Sequence, residues 1–169
     1  SVALTDLNGD GHTDIATANS GNVDGSGAEA SVLLNNGDGT FAAQQTWNVG
    51  ERPASVALAD VDSDGEADLV VANQFANTVS VRLNLGEATF APQQTYAVGA
   101  QPRSVAIADL DNDGDSDAAV ANLSDDVSVL LNNGDGTFAD QQRHPAGDGP
   151  RSLALGDLNG DGDPDIAVA

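Results

Sequence analysis

Four stretches of this chain place oxygen-bearing side chains in one shared frame. They read DLNGDGHTD from Asp6, DVDSDGEAD from Asp60, DLDNDGDSD from Asp109 and DLNGDGDPD from Asp157, so the common pattern is D-x-D/N-x-D-G-x-x-D. Oxygens at positions 1, 3 and 5 can wrap one hard cation, and the Gly at position 6 permits the sharp reversal that brings them round. A backbone carbonyl at position 7 and the Asp at position 9 would complete a shell of about six or seven oxygens. The candidate ligands are therefore Asp6, Asn8, Asp10, the His12 carbonyl and Asp14 in the first loop. In the second they are Asp60, Asp62, Asp64, the Glu66 carbonyl and Asp68. The third offers Asp109, Asp111, Asp113, the Asp115 carbonyl and Asp117, and the fourth Asp157, Asn159, Asp161, the Asp163 carbonyl and Asp165. A donor set without nitrogen or sulfur favours Ca²⁺ over Zn²⁺ or copper, and Mg²⁺, which prefers a tighter octahedron with retained waters, is the weaker candidate. One Ca²⁺ per loop, about four in all, is expected.

Neither an EF-hand nor plain turn chemistry accounts for the frame. An EF-hand shares D-x-D-x-D-G but needs a bidentate Glu at position 12 and flanking helices. Position 12 is Thr17, Val71, Val120 and Val168, each in an expected strand. Asp and Asn also cap turns without metal, but four copies in one nine-residue frame exceed what turn chemistry requires. Crowded carboxylates repel strongly unless a cation neutralises them. The expected side-chain ligands include 14 of the 27 acidic residues, so four Ca²⁺ would add eight charges and move the net charge from -22 to about -14.

Composition narrows the function further. The chain has 169 residues, 27 acids against five Arg, and no Cys or Met. Nucleic acid and anionic membrane surfaces are excluded as partners, because both need a basic footprint. No apolar run approaches a membrane-spanning length, and zero Cys removes disulfides and thiol chemistry. Apolar residues make up 40%, unlike a disordered acidic tail. Without a start Met or targeting segment, the chain is expected to be part of something longer.

The elements that position the loops come from an internal repeat. Ser-Val-Ala-Leu at Ser1 recurs at Ser55, as Ser-Val-Ala-Ile at Ser104 and as Ser-Leu-Ala-Leu at Ser152, each followed by the first loop Asp at spacings of 54, 49 and 48 residues. LLNNGDGTFA occurs at 33–42 and 130–139, with a degraded copy at 83–91, and the extra residues of the first period lie in the Gly-rich stretch 20–30. The repeats are 1–54, 55–103, 104–151 and an incomplete 152–169. Each full period holds four short apolar runs bounded by turn signals, in the second 55–60, 68–73, 78–84 and 90–98. The first two runs are apolar on both faces, Val56 and Leu58 to one side and Ala57 and Ala59 to the other, as in a sheet covered on both sides. Four-stranded antiparallel units repeating at this period predict an all-β chain of about three and a half β-propeller blades, part of a propeller of about seven blades, with the small Ala of the first strand innermost.

Phe41, Phe90 and Phe138 are equivalent, and six residues later stand Trp47, Tyr96 and His144. All six are expected to pack in the core or between blades, His144 as a substitute for an aromatic. The NNGDGTF segments at Asn35 and Asn132 are hairpin turns needing positive φ and no metal, since Asp38 and Asp135 lack spaced partners.

The chain resembles the FG-GAP/VCBS family, the calcium-binding propeller repeats of integrin α-chain headpieces and many secreted bacterial proteins. The S-V-A-x-x-D strand, the aspartate loop and the N-G-D-G-T-F turn carry the resemblance over the whole chain. It implies a β-propeller with Ca²⁺ in the loop between the first two strands of a blade. No literal FG or GAP is present, and Ala18-Asn19, Ala72-Asn73 and Ala121-Asn122 stand where Gly-Ala-Pro would fall, so the chain is closer to the bacterial type and an integrin-like ligand is not implied.

An antiparallel meander puts the aspartate loops and GDGTF turns at one end of each blade. Arg52, Arg103 and Arg151, beside Pro53, Pro102 and Pro150, fall at the other end with the insertion 22–28. These Arg either pair with neighbouring acids and cap strands, or form a partner surface for an acidic glycan or protein carboxylate. The expected function is a calcium-stabilised, non-enzymatic module of a secreted or cell-surface protein, mediating adhesion, binding or assembly. Such loops suit extracellular Ca²⁺, where affinities of about 10⁻⁴–10⁻³ M suffice. The alternative is a glycan-binding or accessory domain of a secreted carbohydrate-active enzyme. An enzyme in its own right lacks a candidate nucleophile, acid–base pair or open metal position. Open ends are expected to pack on the rest of a longer chain or on another copy.

Overall fold

Runs of four to seven residues, each closed by a turn and mostly apolar except in the outer strands, form fourteen β-strands in the computed structural model, which describes residues 1–21 and 28–169. The first unit holds β1 (Val2–Thr5), β2 (Asp14–Asn19), β3 (Glu29–Leu33) and β4 (Gln45–Asn48). The second holds β5 (Pro53–Ala59), β6 (Asp68–Asn73), β7 (Thr78–Arg82) and β8 (Gln94–Ala97). The third holds β9 (Pro102–Ala108), β10 (Asp117–Asn122), β11 (Asp126–Leu130) and β12 (Gln142–Pro145), and β13 (Leu153–Gly156) pairs with β14 (Asp165–Val168). Each full unit is a four-stranded antiparallel meander in sequence order, and no described residue is helical. These are propeller blades. Most of the insertion, residues 22–27, lies outside the described residues.

Side-chain alternation shares each central strand between two interfaces. Leu69 and Val71 of β6 join Val56, Val32 and Phe90 in the core against the first blade. Val70 and Ala72 join Val105, Val120 and Phe138 in the core against the third. Ala119 and Ala121 of β10 turn to Leu153 of the fourth unit. All six residues of β6 and of β10 are therefore buried, which is why neither strand shows polar alternation.

The innermost strands are tied by the repeated serine. Ser1 Oγ accepts the Val56 N–H at 3.2 Å, Ser55 Oγ the Val105 N–H at 3.3 Å, and Ser104 Oγ the Leu153 N–H at 3.4 Å. The aromatic register also crosses blades. Trp47 meets Phe90 edge-on at 4.9 Å between ring centres, and Tyr96 meets Phe138 at 5.4 Å.

Several expectations need correction. The third run of the second blade ends as a strand at Arg82, and the fourth begins only at Gln94, because Asn84 and Phe90 close a separate one-residue bridge around the intervening turn. The first strand starts two residues earlier than expected, at Pro53, where a bulge spares the ladder a missing proline N–H. Phe41 is 43% exposed and His144 is exposed, so neither is a core residue: no described blade covers the outer face of the first unit, and the fourth unit has only two strands beside His144.

Candidate metal centres

Each aspartate loop joins the first strand of its unit to the second, and backbone conformation shapes it. The position 6 glycines Gly11, Gly65, Gly114 and Gly162 have φ between 85° and 97°. Position 4 is also left-handed, at Gly9 (74°), Ser63 (61°), Asn112 (62°) and Gly160 (84°). The Gly or Asn at three of these four positions was a signal in the sequence, since these residues bear positive φ at low cost, whereas Ser63 does so at a cost.

Position 1 braces the loop from inside. Asp6 accepts the Gly11 and Gly9 N–H groups at 2.8 Å each, Asp60 that of Gly65 at 2.9 Å, Asp109 that of Gly114 at 3.0 Å, and Asp157 those of Gly160 and Gly162 at 2.6 and 3.0 Å. These donors, Gly11 first for Asp6 and Gly160 first for Asp157, hold both carboxyls below the usual range. Position 5 caps the turn: Asp10, Asp64, Asp113 and Asp161 each accept the N–H two residues on, at 2.8–2.9 Å. Asn8, Asp111 and Asn159 at position 3 likewise accept the N–H of position 5.

Position 9 has a second structural task. Asp14, Asp68 and Asp117 are fully buried, and each spends one oxygen on the N–H of position 2 and the other on the Asn that opens the turn between the third and fourth strands. For Asp68 the donors are Val61 at 2.8 Å and Asn84 at 2.7 Å; for Asp14 they are Leu7 and Asn35, and for Asp117 Leu110 and Asn132. Asp165 accepts only Leu158 among these. One carboxylate thus pins loop and turn together.

Positions 1, 3 and 9 converge in the middle loops. Asp60, Asp62 and Asp68 bring carboxylate oxygens within 4.8 Å of one another, as do Asp109, Asp111 and Asp117. Asp64 and Asp113 are not in these groups, while the first and fourth loops carry a neutral Asn at position 3. Within the two groups, Asp62 Oδ1 and Asp109 Oδ1 are buried with no hydrogen-bond partner. Burial pushes the Asp68 carboxyl up to about 6, with Asp62 and Asp64 adding repulsion against its two amide donors. Asp62 is raised by burial and then by Asp64, and Asp117 chiefly by burial. Three carboxylates with a dry, unpartnered oxygen among them fit a hard cation, which would satisfy that oxygen and remove the penalty. Both groups can hold a metal ion.

The GDGTF turns behave as turns. Gly37, Gly39, Gly134 and Gly136 have positive φ. Asp38 and Asp135 accept the hydroxyl and then the N–H of Thr40 and Thr137, which lowers both carboxyls. Sequence alone missed how these turns reach the neighbouring blade: Asn84 Nδ2 donates to the Leu7 carbonyl at 2.9 Å and Asn132 Nδ2 to the Val61 carbonyl at 2.7 Å.

At the opposite end, Arg52, Arg103 and Arg151 all line one cavity of about 340 Å³. None pairs with an acid among the described residues, where the one ion pair joins Arg143 to Asp126. Arg52 instead lies over the Phe75 ring at 4.7 Å.

Residues 6–71, 60–120 and 109–168 each match the model of an FG-GAP-like repeat. No curated protein matches the chain. Among solved structures it is similar to a lectin of Agrocybe aegerita, described as specifically recognising non-reducing terminal N-acetylglucosamine, at 28% identity and a TM-score of 0.63. That match covers 98% of this chain and 45% of the lectin, so the chain spans less than half of it. Part of the Photorhabdus luminescens Tc holotoxin pore has the same fold at 24% identity and a TM-score of 0.57, covering 99% of this chain and 8% of the toxin chain. BBS1N, solved in complex with ARL6DN, has it at 14% identity and a TM-score of 0.66, covering 99% and 50%.

Proposed function

The chain belongs to the FG-GAP-like repeat family, and on that footing we propose that it is a calcium-stabilised, non-enzymatic β-propeller module of a secreted or cell-surface protein, serving adhesion, binding or assembly. The observation that carries the calcium reading is the pair of unpartnered buried oxygens, Asp62 Oδ1 and Asp109 Oδ1, inside groups of three carboxylates. In the second loop Asp60, Asp62, Asp64 and Asp68 would hold the ion, and in the third Asp109, Asp111, Asp113 and Asp117. Asp6, Asn8, Asp10 and Asp14, and Asp157, Asn159, Asp161 and Asp165, form weaker sites with one charge fewer. Bound Ca²⁺ supplies charge neutralisation here and no chemistry. Since Asp68 and Asp117 at position 9 also pin turns that touch the preceding blade, occupancy is linked to blade packing.

Calorimetric titration of the chelated protein with Ca²⁺, paired with thermal melting, tests this. We expect about four ions and a higher melting temperature with Ca²⁺, with Asp62→Ala and Asp111→Ala each removing one ion. A chelated wild type that takes up no Ca²⁺ sinks the proposal.

The second reading is a glycan-binding or accessory module of a secreted carbohydrate-active enzyme. The likeness to a lectin at 28% identity favours it. Glycan-array binding with and without chelator separates the two, because a purely structural module binds no glycan in either condition.

Assembly is supported by the contrast between equivalent residues. Val2 is 62% exposed where Val56 is 5%, and Phe41 is 43% exposed where Phe90 is 8%. The first unit thus carries a blade-packing face, which we assign to a further blade of the same repeat, with a second copy as the other candidate.

A further inference from the structure

We propose that the cavity lined by Arg52, Arg103 and Arg151 binds an acidic sugar through its carboxylate. This deepens the binding-module reading and is independent of the aspartate loops, which lie at the other end of the blades.

Cations are scarce here, five Arg in a chain of net charge -22. Two are already engaged: Arg82 donates to the Asn48 and Ala91 carbonyls, and Arg143 pairs with Asp126. The other three stand where the chain enters the second, third and fourth units, Arg52 and Arg151 just before the first strand and Arg103 at the start of β9, and all three line one cavity. Arg103 Nε is buried there with no hydrogen-bond partner. A dry, unpartnered guanidinium N–H is costly, and an incoming oxyanion satisfies it.

Arg52 is placed at a further cost. It has φ 52° immediately before Pro53, where the equivalent positions before Pro102 and Pro150 are Gln101 (57°) and Gly149 (57°). Glycine serves this site without strain, as Gly149 demonstrates, whereas a side chain there costs about 1 kcal/mol. The turn after β6 fastens Arg52: Gln74 N–H donates to its carbonyl at 2.9 Å, and the half-exposed Phe75 ring lies under its guanidinium.

The surroundings select the ligand. A guanidinium fork matches a carboxylate in plane and spacing. The strongly negative chain repels polyanions, so the ligand carries a single charge on an otherwise neutral body. Ser20 and Gln74 add polar groups to the lining, and about 340 Å³ accommodates one sugar ring. Among the described residues, this lining has no apolar anchor pocket of the kind that peptide recognition relies on.

The test is titration of the full chain in millimolar Ca²⁺ with glucuronic acid, glucose and N-acetylglutamate, followed by NMR or calorimetry. Glucuronic acid should bind, and glucose and N-acetylglutamate should bind at least about tenfold more weakly. Arg52→Gln and Arg151→Gln, both at exposed residues, should each weaken glucuronic acid about tenfold while Ca²⁺ stoichiometry stays unchanged and reports an intact fold. Absence of glucuronic acid binding to protein that still takes up Ca²⁺, or binding that survives both substitutions, overturns this inference alone. Equal binding of N-acetylglutamate overturns it in favour of a protein carboxylate. Glucuronic acid binding without Ca²⁺ uptake would instead remove the calcium reading and leave this one standing.

Discussion

Asn132 donates its side-chain amide to the Val61 carbonyl at 2.7 Å, joining the GDGTF turn of the third blade to the aspartate loop of the second. The same group donates to Ser116 O at 3.0 Å, and its own N–H is held by Asp117. Loop, turn and neighbouring blade therefore share one buried polar network.

Asn132→Ala should cost about 1–3 kcal/mol, because it leaves the buried Val61 carbonyl without its donor. Both variants lose the side-chain bond from the turn glycine, Gly134 or Gly37, but Asn35→Ala otherwise removes a 3.2 Å bond to Thr13 O within its own unit and should cost less. Urea unfolding of the two variants measures the difference, and equal losses would refute the cross-blade role.

Without metal, stability should fall as pH rises from about 4 to about 6. The folded Asp68 carboxyl titrates near 6 against 3.8 ordinarily, so between those values the folded state holds more protons than the unfolded one. Its stabilising contribution is complete below 3.8 and lost as pH rises through 6, on the order of 3 kcal/mol. Asp62 and Asp117 act in the same direction. Asp6, Asp38, Asp135 and Asp157, lowered but open to solvent, oppose it only weakly. Saturating Ca²⁺ requires ionised ligands and should reverse the slope. Thermal melts across this range in EDTA and in Ca²⁺ provide the check.

Asp62→Asn should have opposite effects in the two conditions. In chelator it relieves a buried carboxylate beside Asp64 and Asp60 and raises the melting temperature. In Ca²⁺ it weakens one site, so the gain from adding the ion shrinks. A variant destabilised equally in both conditions would contradict a cation centre at this loop.

Phe90→Ala should cost about 3–5 kcal/mol, since Phe90 is buried between the first two blades. It also strips the edge contact from Trp47, the single tryptophan. A red shift in its emission before unfolding would report the opened interface.

Leu4→Lys with Phe41→Glu should suppress self-association of the isolated chain, because both side chains belong to the exposed face of the first unit. Light scattering reads this directly. Unchanged scattering would place the sticky surface elsewhere, for instance at β13 and β14.

Sequence alone determined what is set within a few residues. Positive-φ glycines, Asp-Gly turns and two-sided apolar runs specify a reversal or a strand locally, so the repeat, the blade and the spacing of the carboxylates were legible. Strand ends were less so: Phe90 has a strand residue's character, yet the tight turn leaves it a lone bridge to Asn84. Only the tertiary structure decided which groups meet across the chain. Ser55 meets Val105 fifty residues on, Asn132 reaches back to Val61, and three Arg from three separate units' entries line one cavity. The split of duties at position 9, a ligand candidate that also pins a distant turn through two amides, has the same origin. Such pairings depend on how blades stack, and stacking comes from the shared apolar cores, where Val and Ala types specify burial but not which distant polar group ends up alongside.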